Sequence, residues 1–147
     1  FNTKLVLVGS RGWKNEFIFN LLKKHKEKII VTGFVPDKDL GILYSQALCL
    51  VYPSFYEGFG IPILEAQACG CPVITSNTSS MPEVGGKVAI YVDPYNVDDI
   101  VKGMIKCQIS NVKSQMIKAG FENVKRFSWE ASAEKLKILY RQFAPEV

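Results

Sequence analysis

The chain has 147 residues, a formal net charge of +4, and 48% hydrophobic residues. This length suits one domain with a real core and is too short for two full domains. The hydrophobic and charged fractions are typical of a globular domain, and no apolar run approaches the roughly 20 residues that a helix needs to span a bilayer.

Predicted strands and helices alternate along the whole chain. The strands are Lys4–Val8, Lys28–Thr32, Leu48–Tyr52, Pro72–Thr75 and Ala89–Val92. The helices are Asn15–His25, Pro36–Gln46, a short one that includes Pro62 and stops at Gly70, Val97–Cys107, Val112–Arg126 and Trp129–Phe143. This alternation predicts an α/β fold with a doubly wound, Rossmann-like, mostly parallel sheet of about five strands and helices on both faces.

The charge is distributed unevenly. Residues 41–100 hold six acids and one base, whereas residues 1–40 hold eight bases and four acids, and residues 101–147 hold nine bases and four acids. Solvated helix faces are the simplest interpretation of the basic ends, and peripheral contact with an anionic membrane or lipid is the alternative. The lysines lie on predicted helices without interleaved exposed aromatic residues, so no nucleic-acid partner is expected.

The four cysteines are Cys49, Cys69, Cys71 and Cys107. No two C-x2-C pairs occur among them, so their spacing predicts no metal site. We expect reduced thiols that mostly fill the core of a cytoplasmic protein.

The segment between the third and fourth predicted strands carries the chemistry. Glu57 lies in a loop with Gly58 and Gly60, and a helix follows that begins near Ile61. Pro62 is tolerated in the first helical turn because its missing N–H would have no partner there. A second carboxylate, Glu65, is expected in the first turn or so of this helix.

Two kinds of group therefore converge at one end of the predicted sheet. A helix N-terminus with its unpaired N–H groups favours an anion; the groups here belong to Gly58, Phe59, Gly60 and Ile61. Open α/β sheets bind ligands outside the carboxyl ends of their strands. The loop thus suits a diphosphate, and the carboxylates of Glu57 and Glu65 suit hydroxyl groups.

Residues 53–76 read PSFYEGFGIPILEAQACGCPVITS. This run resembles the signature of group 1 glycosyltransferases, retaining enzymes of the two-domain GT-B type, which carry E-x7-E in this loop and helix. Weaker matches lie at residues 33–35, 79–86, 92–94 and 127–130 and extend the resemblance over nearly the whole chain. The resemblance is to the C-terminal, donor-binding domain.

The resemblance implies a role for each candidate residue. Glu57 would be the catalytic carboxylate beside the transferred hexose, and Glu65 would accept hydrogen bonds from the ribose of the donor. The N–H groups of Gly58, Phe59, Gly60 and Ile61 would receive sugar hydroxyls and the distal phosphate. The backbone at Phe34 and Val35 would meet the base, while Gly9 and Ser54 would lie beside the donor or would simply be turn residues.

The resemblance also implies the activity. A hexose would move from a nucleotide diphospho-sugar, GDP-mannose or a UDP-sugar, to a glycan or lipid-linked acceptor, with no metal or cofactor. The run Ser79–Val84 is similar to that of mannosyltransferases of surface-polysaccharide assembly. The protein would act in the cytoplasm, with the inner face of the membrane as a second possibility.

Two parts of the family pattern have no counterpart in the chain: a first strand with its Arg- and Lys-bearing loop, and the N-terminal domain with the acceptor site. We therefore expect residues 1–147 to be one domain of a larger enzyme and to transfer no sugar alone. A nucleotide-sugar epimerase of the same architecture is one alternative. A non-catalytic α/β module such as a receiver domain is another, although that needs an acidic cluster after the first strand, where Gly9, Ser10 and Arg11 stand.

Overall fold

The computed structural model of the chain describes residues 3–10 and 16–144. These residues contain five strands: β1 (Leu5–Val8), β2 (Ile29–Gly33), β3 (Leu50–Tyr52), β4 (Val73–Ser76) and β5 (Ile90–Val92). They also contain seven α-helices: α1 (Glu16–Lys24), α2 (Asp37–Gln46), α3 (Ile61–Ala68), α4 (Met81–Gly85), α5 (Val97–Cys107), α6 (Ser110–Val124) and α7 (Trp129–Phe143). A 3-10 turn, Gly86–Val88, joins α4 to β5.

The chain divides into two compact units, one ending at Leu40 and the other beginning at Gly41. In the first unit, β1 and β2 pair in parallel, with Leu5 opposite Ile29. In the second unit, the strand order is β3-β4-β5, again parallel throughout. The predicted α/β class with parallel strands is confirmed. In the described residues the strands form a two-stranded and a three-stranded sheet, and not the single sheet of about five strands that was predicted.

Helices cover both faces of the three-stranded sheet. Neighbouring residues of a strand point to opposite faces. Val73 packs in a core cluster with Ile63 of α3 and Met81 of α4, whereas Ile74 packs with residues of α5 and α6 in a second cluster. All four residues of β4 are buried, as expected for a central parallel strand. Burying an aliphatic side chain of this size contributes roughly 1.5–3 kcal/mol, so β4 anchors the unit.

Two of the four cysteines are core residues, and all four are free thiols. Cys71 belongs to the first core cluster and Cys107 to the second, and all four cysteines are unpaired. Burial raises the pKa of the Cys71 thiol to about 11. That thiol therefore stays protonated and poorly nucleophilic at neutral pH.

Helix boundaries follow local capping. α5 and α7 have the predicted bounds, and each begins after a capping side chain: Asn96 accepts from the Asp99 N–H, and Ser128 accepts from the Ala131 N–H. α6 begins at Ser110, earlier than predicted, after a residue that gives no side-chain cap. The predicted start of the first helix at Asn15 lies outside the described residues. No helix in residues 3–10 and 16–144 is long and apolar enough to cross a membrane.

A buried amide pair ties α3 to α6. The Asn123 Nδ2 group donates to Gln67 Oε1 at 2.7 Å and to the Val84 carbonyl at 2.8 Å. Gln67 in turn donates to the Gly85 carbonyl at 3.2 Å. Buried polar groups that satisfy one another in this way fix the mutual position of the elements that carry them, and α3 is the helix that carries Glu65.

Gly86 should not tolerate a side chain. Its φ is +64°, and a Cβ there would lie 2.3 Å from Asn123 Oδ1. A left-handed backbone costs a non-glycine residue roughly 1–2 kcal/mol, and overpacking adds about 1–3 kcal/mol. We expect Gly86→Ala to lower the free energy of unfolding of the complete protein by roughly 2–5 kcal/mol in denaturant titration. Gly58→Ala is the control, since nothing lies within 4 Å of its Cβ position; equal losses in both variants would contradict the argument.

Candidate functional site

The loop that carries Glu57 lies where the sequence predicts it. β3 ends at Tyr52, and α3 begins at Ile61 with Pro62 in its first turn. Gly60 precedes the helix with φ 103°, a left-handed conformation that glycine adopts without strain. Glu57 therefore lies in the connection between the carboxyl end of β3 and the N-terminus of α3.

The backbone N–H groups at the start of α3 are free to bind a ligand. Within the described part of the chain, no hydrogen bond is donated by the N–H of Gly58, Phe59, Gly60 or Ile61. The first N–H groups of a helix have no partner inside it. The positive end of the helix dipole adds to these free groups, and this end of α3 therefore suits an anionic ligand.

The Glu57 side chain is fixed through one of its two oxygens. The Tyr52 hydroxyl donates to Glu57 Oε1 at 2.6 Å, and the Ser54 hydroxyl donates to the same oxygen at 2.9 Å. Among residues 3–10 and 16–144, no donor contacts Oε2. The carboxylate is thus oriented by two neighbours and keeps one oxygen for a ligand.

Tyr52 is a site residue that the sequence analysis did not identify. Its pKa is raised by burial and by its hydrogen bond to Glu57. The Tyr52 hydroxyl therefore stays protonated at neutral pH and continues to donate to Glu57 Oε1. Ser54, predicted to lie near a phosphate or to serve as a turn residue, contacts Glu57 directly. No local pattern distinguishes the Tyr52 hydroxyl from a core aromatic, because its role depends on how the loop folds back over the strand.

Glu65 is exposed and lies just beyond the first turn of α3. It is the fifth residue of the helix, and no acid occupies the first turn. Since the helix begins at Ile61, Glu65 stands at the start of the second turn, which agrees with the prediction of the first turn or so. The dipole effect on a charge falls off within the first turn, so stabilising the helix start is not a sufficient role for this carboxylate.

Tyr44 of α2 reaches Glu65. Its hydroxyl donates to Glu65 Oε2 at 3.2 Å. Burial raises the pKa of Tyr44, and the neighbouring Glu65 charge and hydrogen bond raise it further. Each carboxylate of the E-x7-E pair thus accepts a hydrogen bond from a tyrosine that stays protonated at neutral pH.

The remaining predicted site residues lie in the unit that ends at Leu40. Gly9 follows β1 with φ +132°, and its N–H donates to the Gly33 carbonyl at 2.9 Å. Phe34 is 76% exposed, and Val35 is half-buried. Their contacts with a donor nucleotide stay predictions. In the described residues, no group of three or more His, Cys, Asp or Glu side chains could hold a metal ion.

Comparison with known proteins identifies the family. The model of the family described as glycosyl transferases group 1 matches residues 2–123. The chain therefore belongs to the group 1 glycosyltransferases, and the resemblance carried by E-x7-E is confirmed.

Two bacterial relatives give this membership more detail. The O-antigen chain mannosyltransferase B of Escherichia coli is 43% identical over 129 residues, which cover 86% of this chain and 34% of that protein. The O-antigen chain mannosyltransferase RfbU of Salmonella typhimurium is 35% identical over 116 residues, covering 74% of this chain and 33% of that protein. The chain thus spans about a third of the length of these relatives.

Solved structures share the fold. Sucrose-phosphate synthase from Thermosynechococcus elongatus matches with a TM-score of 0.83 at 29% identity, over 95% of this chain and 38% of that one. WaaG, a glycosyltransferase of lipopolysaccharide biosynthesis, matches with a TM-score of 0.75 at 20% identity, over 92% of this chain and 37% of that one. The fold is that of one half of a GT-B glycosyltransferase.

Proposed function

We propose that the complete protein is a retaining glycosyltransferase and that this chain is its donor-binding domain. The reaction moves a hexose from a nucleotide diphospho-sugar to a glycan or lipid-linked acceptor, and the acceptor is bound by a further domain. The observation that carries the proposal is the geometry of Glu57, which Tyr52 and Ser54 orient beside the free N–H groups that open α3.

Glu57 is the catalytic carboxylate in this proposal. Positive charge develops at the anomeric carbon as the bond to the diphosphate breaks, in a transition state with oxocarbenium character. A fixed carboxylate at that point stabilises the transition state more than the ground state. The free oxygen of Glu57, Oε2, is the atom available for the sugar.

Glu65 binds the ribose of the donor. An ionised carboxylate accepts hydrogen bonds and has room for two hydroxyl donors. The Tyr44 hydroxyl donates to Glu65 Oε2 at 3.2 Å, and no donor among the described residues contacts Glu65 Oε1. The two glutamates thereby divide the work, one acting on the sugar and the other on the nucleoside.

The main chain supplies the anion-binding groups. The N–H groups of Gly58, Phe59, Gly60 and Ile61 receive sugar hydroxyls and the distal phosphate, with the helix dipole adding about 0.3–1 kcal/mol. The base is met at Phe34 and Val35, with Gly9 beside the donor. We further propose that transfer needs no metal or other cofactor, which is tested by measuring the rate with and without a chelator.

Mannose is the proposed sugar, with GDP-mannose preferred to UDP-sugars. The two O-antigen relatives are named as mannosyltransferases, and the Ser79–Val84 run supports the same choice. Other neighbours were solved with UDP and glucose or GlcNAc, so the base and the sugar need a direct test. The proposed location is the cytoplasm, at or near the inner face of the membrane.

The test is a calorimetric panel of nucleotide sugars against the complete protein, followed by a transfer assay. We expect GDP-mannose to bind most tightly and to release GDP only when an acceptor is present. Conversion of the donor without an acceptor would indicate an epimerase, for which the comparisons give no support. Binding without any conversion would indicate a non-catalytic module.

A further inference from the structure

The Glu57 loop has no backbone support of its own. Within the described part of the chain, no backbone–backbone hydrogen bond involves residues 54–59. Gly58 and Gly60 add conformational freedom to this segment. Something other than regular secondary structure must hold the loop in place, because catalysis by a fixed charge depends on the position of that charge.

The support comes from the six residues that begin near the end of β4, which read TSNTSS from Thr75 to Ser80. Every hydroxyl in this run donates to a carbonyl between Tyr52 and Phe59. Thr75 donates to Tyr52, Ser76 to Ser54, and Thr78 to Phe55. Ser79 and Ser80 act further along the loop, on Glu57 and Phe59.

Ser79 and Ser80 hold the peptide groups of Glu57 itself. The Ser79 hydroxyl donates to the Glu57 carbonyl at 2.6 Å and accepts from the Glu57 N–H at 3.3 Å. The Ser80 hydroxyl lies 3.0 Å from the Glu57 carbonyl and 2.7 Å from the Phe59 carbonyl. It has one proton and so donates to one of them at a time. The main chain on both sides of the Glu57 Cα is thus restrained.

Ser79 adopts an unusual backbone to do this. Its φ is 56°, and among the described residues it is the only non-glycine residue with a positive φ. Such a conformation persists only where the surroundings impose it, and it clusters at functional sites. Glycine would fit the backbone better, so the conformation by itself does not explain the serine; the hydroxyl contacts do.

We propose that Ser79 and Ser80 are positioning residues for Glu57, whose hydroxyls fix the catalytic loop before the donor binds. The inference rests on the proposed function, in which Glu57 acts on the transferred sugar. Tyr52 and Ser54 orient the carboxylate of Glu57, whereas Ser79 and Ser80 hold the backbone from which that side chain projects.

The decisive variant is Ser79→Gly in the complete enzyme. Glycine accepts the left-handed backbone without strain, so the melting temperature should not fall, while both hydroxyl contacts are lost. We expect kcat to fall about tenfold, the size that the loss of one hydrogen bond permits, with KM for the donor changed less than about twofold. A merely structural role would instead lower the melting temperature and leave kcat unchanged.

Ser80 provides the second variant and its rescue. Ser80→Ala should also lower kcat about tenfold, and Ser80→Thr, which keeps the hydroxyl, should recover most of that loss. Ser114→Ala is the control and should leave kcat unchanged, since the Ser114 hydroxyl donates to the Ser110 carbonyl within α6. Values of kcat within about threefold of wild type for both Ser79→Gly and Ser80→Ala would overturn the proposal.

A measurement without substrate separates this inference from the proposed function. Hydrogen exchange at the Glu57 amide, which donates to the Ser79 hydroxyl at 3.3 Å, should be faster in Ser80→Ala than in wild type, because the loop opens more often. Unchanged exchange would overturn the positioning role even if the enzyme transfers sugar. Faster exchange in a protein that transfers no sugar from any donor would instead show that the loop is held as described and that the proposed function is wrong.

Discussion

Glu57→Ala in the complete enzyme should lower kcat for sugar transfer by about 10²- to 10³-fold, with KM for the donor changed less than about threefold. The size is that seen when one preorganised group that stabilises transition-state charge is removed. KM should change little, because the positive charge that Glu57 stabilises develops only in the transition state and is absent from the bound sugar in the ground state. Steady-state kinetics with GDP-mannose, the proposed donor, and an acceptor measure both parameters.

Glu57→Gln separates charge from shape. The amide keeps an oxygen that Tyr52 and Ser54 can still contact, so the loop should stay in place, yet the negative charge is gone. We expect nearly the same loss of kcat as for alanine. Glu122→Ala is the matched control. Glu122 is an exposed acid that forms an ion pair with Lys125 at 2.7 Å, and exposed ion pairs contribute little to stability. A raised KM with unchanged kcat in Glu57→Ala would contradict its role in the transition state.

Glu65→Ala should raise KM for the donor roughly 10- to 100-fold and leave kcat within about threefold of wild type. A hydrogen bond to a charged group contributes about 1.5–3 kcal/mol, and each 1.4 kcal/mol is about a tenfold change in affinity. The proposed contact between Glu65 and the ribose is the same in the ground state and the transition state. Losing that contact should therefore raise KM and leave kcat nearly unchanged.

Calorimetry with free GDP distinguishes the two glutamates. GDP contains the ribose but no hexose, so Glu65→Ala should weaken its binding as much as that of GDP-mannose, whereas Glu57→Ala should leave GDP binding nearly unchanged. Tyr44→Phe, which removes only the phenol that contacts Glu65, should give a smaller loss of about two- to fivefold. Intact GDP binding in Glu65→Ala, with lost binding in Glu57→Ala, would mean that the assigned roles are reversed.

Local chemistry explains which helix boundaries could be read from the sequence. α5 and α7 begin where predicted, and Asn96 and Ser128 cap those starts by accepting from N–H groups three residues further on. The start of α6 was missed because Ile109 offers no cap. The short α4 was not predicted as a helix, because its five residues carry no strong periodic signal. Prediction therefore succeeded where the determining contact lies within one helical turn.

The sequence by itself determined the parallel α/β class, the strand–loop–helix unit around Glu57 and the family, because these depend on residue types at short, fixed spacings. Only the tertiary structure decided what holds the site together. Tyr44 meets Glu65 across 21 residues, Ser79 meets Glu57 across 22, and Asn123 meets Gln67 across 56. Side-chain hydroxyls and amides have many possible partners in an unfolded chain, and the packing of helices on both faces of β3-β4-β5 is what selects one of them.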